Sequence, residues 1–124
     1  MSPTPFLVRW FETMDSGAPE RVLDFITDDF TMSVQFSKGD GQSAEFVGDR
    51  AGLVAYLDQR ERSALVHHVT HGARVADVEL VLGRTTRDGS FEASFNASAL
   101  LDAATDRCRR LLICRTPALQ FPQD

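Results

Sequence analysis

Three histidines stand close together at His67, His68 and His71. One carboxylate, Asp15, falls where an apolar helical stretch gives out before Ser16-Gly17. Histidine exchanges protons readily near neutral pH, so acid–base work is the first chemistry to ask about. Metal binding is the second. On a helix His67 and His71 would share a face, but Val66–Val75 reads as strand, which sets them roughly 13 Å apart. Zinc bonds of about 2 Å cannot bridge that span, and there is no HExxH pattern, so no metal site is expected from these three. Glycine-rich phosphate loops and Cys/His clusters are also missing, and no cofactor is expected. Asn96 and Ser98 share one face of a strand-like segment with Leu100. Their amide and hydroxyl can position a carbonyl or hydroxyl of a ligand. The alternative exposes that face and turns Phe95, Ala97 and Ala99 toward the core.

The elements that must position these groups follow from hydrophobic periodicity. Thr4-Pro5 is a helix start, with Thr4 as a possible cap. Phe6, Leu7, Trp10, Phe11 and Met14 recur at helical spacing, and Gly17 ends the run. Pro19 opens a second short helix with Val22, Leu23, Phe25 and Ile26 as its apolar face, broken by Asp28-Asp29. Phe30, Met32, Val34 and Phe36 alternate with polar residues, as in a half-buried strand. Lys38–Gly41 is a loop and Glu45–Val47 a short strand. Asp49 caps a third helix reaching about Arg62, with Leu53, Val54 and Leu57 as its stripe. Four long strands follow, over Val66–Val75, Val78–Thr86, Phe91–Ala103 and Cys108–Arg115. Asp88-Gly89 is a hairpin signal. Short turns between consecutive strands make them antiparallel. The expected fold is α+β, three helices packed on one mostly antiparallel sheet, in a single domain over residues 1–124.

Composition limits the partners. The 124 residues carry a net charge of −5 with a pI near 5.1. The only basic doublet, Arg109-Arg110, reads as a solvated strand edge, so no nucleic-acid partner is expected. No apolar run approaches the ~20 residues of a membrane helix, and Met1–Pro5 lacks the pattern of a signal peptide. If Cys108 and Cys114 lie on one strand they sit roughly 20 Å apart. They then cannot bond each other, and a reducing cytoplasm fits. The last four strands carry apolar residues on both faces, for example Val78, Leu80 and Leu82 against Val81. One face covers the helices, so a homodimer through the other is expected.

The order of elements, with Trp10-Phe-Glu-Thr-Met14-Asp15-Ser16-Gly17, Thr27-Asp28-Asp29-Phe30 and His68-Val-Thr-His-Gly72-Ala-Arg-Val75, resembles the nuclear-transport-factor-2-like superfamily. The likeness is to its SnoaL-like, ketosteroid-isomerase-like and scytalone-dehydratase-like branches and covers nearly the whole chain. It implies a strongly curved sheet wrapping the first helix as a cone, open to ligand at one end, with a dimer commonly made by the outer sheet face. By this resemblance His68 is the pocket histidine and pairs with Asp15; a one-residue slip along the strand would select His67.

The same resemblance places Trp10, Met14, Met32 and Val34 on the pocket wall, with Asn96 and Ser98 as a polar ligand-contacting pair. Trp10 stands where ketosteroid isomerases carry a tyrosine donor; core packing is the competing role. Val34 stands where they carry an aspartate base, and valine cannot move a proton. Met14 replaces a tyrosine of the dehydratase. Steroid isomerisation by the usual route is therefore not expected. Asp15 lies at the helix C-terminus, where the dipole disfavours an anion, so it needs a partner unless it faces solvent. Two functions remain. One is a lyase, isomerase or cyclase using Asp15 and His68 on a small apolar or oxygenated molecule. The other is a non-catalytic binding or assembly domain with a vestigial pocket.

Overall fold

The computed structural model describes residues 2–59 and 64–122. Helix α1 spans Pro5–Met14 and a 3₁₀ helix spans Pro19–Phe25. Strands β1 (Ile26–Gly39) and β2 (Gln42–Asp49) form a hairpin, and α2 (Arg50–Gln59) follows it. β3 (Leu65–Val75), β4 (Val78–Arg87), β5 (Ser90–Leu101) and β6 (Cys108–Thr116) complete an α+β fold. Its one sheet is open and ordered β2-β1-β6-β5-β4-β3. The expected helix end near Arg62 lies outside the described residues. Asp49 does cap α2, accepting the Gly52 N–H at 2.9 Å. Among the described residues no helix is long and apolar enough to cross a membrane.

The last four strands form the antiparallel meander read from the sequence. Asp88 and Gly89 make the β4–β5 turn with φ of 52° and 82°, the left-handed geometry of a tight hairpin. β1 runs parallel to β6 and joins the hairpin to the meander. Two expectations change. Asp28 and Asp29 lie inside β1 rather than ending a helix. The Thr27 hydroxyl and Arg109 bond Asp29 and hold its carboxyl below the usual range. Arg109 and Arg110 are on β6, which lies between β1 and β5 and is not an edge.

Strand alternation divides the sheet into two faces. Val34, Ile113, Ala97 and Val81 are successive cross-strand partners on the inner face, where Leu7, Trp10 and Phe11 of α1 pack. On β5, Phe95, Ala97 and Ala99 are buried on this face, so Asn96 and Ser98 point the other way. The expectation that Asn96 and Ser98 look into the pocket is therefore corrected. Burying the Phe95 ring outweighs burying an amide and a hydroxyl. Both cysteines are free. Burial pushes the Cys108 thiol up to about 12, and its Sγ donates to the Arg110 carbonyl.

Helix α1 is anchored from a distance. Thr4 makes no side-chain cap bond; its side chain packs instead over Gly72, where a Cβ would come within 2.9 Å of it. The cap comes from Glu79 on β4, which is fully buried. Its Oε2 accepts the Phe6 N–H at 3.1 Å and its Oε1 the Leu7 N–H at 2.9 Å. Two otherwise orphaned amides and the positive end of the helix dipole thus meet one carboxylate. Glu79→Gln keeps the shape but turns an NH₂ toward a backbone N–H. It should lower unfolding free energy by about 1–3 kcal/mol in urea titrations. An unchanged midpoint would show that Glu79 does not anchor the helix.

Candidate functional site

Parity along β3 decides which histidine enters the interior. His67 lies opposite Thr85, and Val69 opposite Gly83, on the buried face of β4; His68 lies opposite Arg84 on the other face. Beyond Val69 the register shifts at Thr70, after which Gly72 faces Val81. Counting back from Gly72 by simple alternation therefore selects the wrong histidine, because a bulge inserts one residue. The pocket histidine is His67. The expected pairing of His68 with Asp15 is corrected: His68 Nε2 meets the Thr86 hydroxyl at 2.9 Å on the outer face. His71 bonds its neighbour Thr70 through Nδ1 and is exposed.

Asp15 is the residue that closes α1. Its carboxylate takes two bonds from one partner. Oδ2 accepts the backbone N–H of His67, and Oδ1 meets His67 Nδ1, both at 2.7 Å. The two side chains are 13% and 16% exposed, so water competes little for this contact. An ionised carboxylate only accepts hydrogen bonds, so Nδ1 carries the proton. In the neutral ring Nε2 then holds a free lone pair and can accept a proton. Packing fixes the ring plane. Phe11 stacks on it at 4.8 Å and 19°, and Phe95 meets it edge-on at 5.4 Å.

His67 lines a cavity of about 310 Å³. Trp10, Met14, Met32 and Val34 line it too, as read from the sequence. Asn96 and Ser98 do not. Tyr56 of α2, stacked on Phe46 of β2 at 5.1 Å, and Arg115 of β6 join the wall. Tyr56 is the chain's one tyrosine, the only sequence signal available for it. Arg115 pairs with Glu92, whose Oε2 accepts the Thr85 hydroxyl at 2.6 Å. The cavity is thus mainly apolar, with a histidine, a phenol and a paired guanidinium as polar groups. Among the described residues no three His, Cys, Asp or Glu side chains gather as a metal site would require.

Gly83 makes this arrangement possible. A Cβ there would come within 2.4 Å of the Phe95 ring and 2.5 Å of the His68 carbonyl oxygen. The carbonyl belongs to the backbone and cannot rotate away. At Gly48 an added Cβ would meet only the Phe46 ring, at 2.8 Å, and a ring can shift. Gly83→Ala should therefore cost about 1–3 kcal/mol or more in denaturation, and Gly48→Ala clearly less. Equal costs would contradict the packing that holds His67.

No family model and no curated protein matches the sequence. Solved structures do match the fold. A loop-truncation variant of IdmH superposes with a TM-score of 0.68 at 14% identity, covering 92% of each chain. An NTF2-like protein of unknown function from Burkholderia xenovorans gives 0.64 at 12% identity, over 94% of this chain and 84% of that one. A candidate isomerase of the SnoaL-like family from Agrobacterium tumefaciens gives 0.63 at 10% identity, over 93% and 98%. The chain has the fold of the nuclear-transport-factor-2-like superfamily.

Proposed function

We propose that this single domain is a cofactor-independent lyase, isomerase or cyclase in which Asp15 and His67 form the acid–base pair. The observation that carries the proposal is the double bond from Asp15 to the His67 amide and ring at the edge of an apolar cavity. Asp15 orients the ring, and Nε2 takes a proton from substrate and returns it elsewhere. The sheet and α1 form the cone, and Trp10, Met14, Met32 and Val34 hold the apolar body of a compact substrate. Tyr56 and Arg115 meet its one or two oxygens. The candidate isomerase of the SnoaL-like family with the same fold is consistent with this class of chemistry. Reducing cytoplasm is the compartment that suits two free cysteines.

A second reading rests on the outer sheet face. Val47, Leu80, Leu100 and Leu112 are 68%, 39%, 38% and 46% exposed there. Val47, Ser33, Leu112, Ser98 and Leu80 form one cross-strand row. Such a face suits a second copy of the chain. A homodimer with a vestigial pocket would be an assembly module; a homodimer with a working pocket fits the first reading equally.

Proton exchange separates the two. A 1,3-diketone in D₂O, followed by proton NMR, should lose its activated C–H signal faster with the protein than with buffer alone. His67→Ala should reduce that acceleration about 10²–10⁴-fold, and His68→Ala should leave it. Saturable binding with no acceleration would favour the binding module, and an acceleration indifferent to His67→Ala would remove the acid–base assignment.

A further inference from the structure

The outer face holds a second cavity, well separated in chemistry from the first. It measures about 470 Å³ and lies between β3, β4 and β5 and the segment that follows β6. Arg84, His71, Ser94, Phe91, Phe121 and Pro122 contribute to its lining. Ser94 ties the following segment down, donating its hydroxyl proton to the Leu119 carbonyl at 2.7 Å. Pocket volumes of roughly 300–1,000 Å³ are those that take small molecules.

Arg84 is the unusual member. Its Nε and Nη1 have no contact with solvent and no hydrogen-bond partner among the described residues. Withdrawing a guanidinium from water without a compensating acceptor is costly, and such a group ordinarily has a partner. The chain does not lack acids: its net charge is −5. Arg74, Arg109 and Arg115 each have one, in Asp77, Asp29 and Glu92. The lining at Arg84 contains no carboxylate among the described residues. An anion entering the cleft would supply the charge that the described residues do not. The wall mixes the Phe91 and Phe121 rings and Pro122 with the polar Thr70, His71, Ser94 and Gln120, which suits an aromatic ring that carries a polar group.

We propose that this cleft binds a small aromatic carboxylate, with the carboxylate on the Arg84 guanidinium and the ring between Phe91 and Phe121. A carboxylate beside the guanidinium gains a charge-assisted bond, stronger than one from a neutral acceptor. The site is independent of the Asp15–His67 pair, since it opens on the opposite face of the sheet.

Sodium benzoate is the probe, titrated into the full chain with amide-resolved NMR. Saturable shifts should appear at Leu82, Arg84 and Ser94, while the Trp10 indole and His67 stay in place. Arg84→Gln should weaken binding about tenfold or more, the loss expected for a charge-assisted bond. Arg84→Lys, which keeps the charge and loses the fork, should fall between. Acetate should bind more weakly than benzoate. Benzoate should raise the melting temperature of the native chain and not that of Arg84→Gln. That variant should itself be no less stable, since it removes an uncompensated cation. Unsaturable shifts, equal affinity in Arg84→Gln, or shifts centred on Trp10 and His67 would each overturn the proposal. So would a dimer that dissociates in Arg84→Gln and competes with benzoate, because a second copy would then be the occupant.

Discussion

Glu79 binds the first turn of α1 to the start of β4, and the interior depends on that contact. A helix of ten residues is about 15 Å long, so clamping one end sets where the other end falls. At that other end stands Asp15, bonded to the β3 backbone and ring at His67. Two carboxylates thus tie the helix to the sheet, one at each terminus. They differ in electrostatic setting. Glu79 sits at the positive end of the helix dipole and is favoured there; Asp15 sits at the negative end and depends on the bonds His67 supplies. The clamp at Glu79 is the comfortable one, and the position of Asp15 depends on it.

Aromatic packing carries the constraint from helix to histidine. Gly83 lets the Phe95 ring press against β4, Phe95 meets Phe11 at 4.8 Å, and Phe11 stacks on His67. Bulk at Gly83 would displace each ring in turn. The imidazole is thereby oriented by three contacts, two with aromatic rings and one a hydrogen bond to Asp15. A ring so held loses little freedom when a substrate arrives, which is what proton transfer at a fixed atom requires.

Much of this was legible in the sequence, for local reasons. Helix α1, the turn at Asp88-Gly89 and the antiparallel meander all follow from periodicity and turn chemistry. The family resemblance sets Trp10, Met14, Met32 and Val34 on the pocket wall, and no irregularity in their segments upsets that register. His67 could not be chosen over His68, because the Thr70 bulge shifts parity by one residue and no residue type announces it. The family resemblance turns Asn96 and Ser98 toward the pocket, and burial of Phe95, Ala97 and Ala99 puts them on the opposite face. Nothing in the sequence marks Glu79, since its partners Phe6 and Leu7 are more than seventy positions away. Nothing in the sequence marks Arg84 either, and only its burial without an acceptor among the described residues sets it apart.

The account turns on which nitrogen of His67 carries the proton. Long-range proton–nitrogen NMR of the imidazole reads this directly. The neutral ring should be protonated at Nδ1 and bare at Nε2, and Asp15→Ala should release it to the Nε2–H form. A native ring already protonated at Nε2 and bare at Nδ1 would mean that Asp15 does not accept its proton. The acid–base reading would then fail.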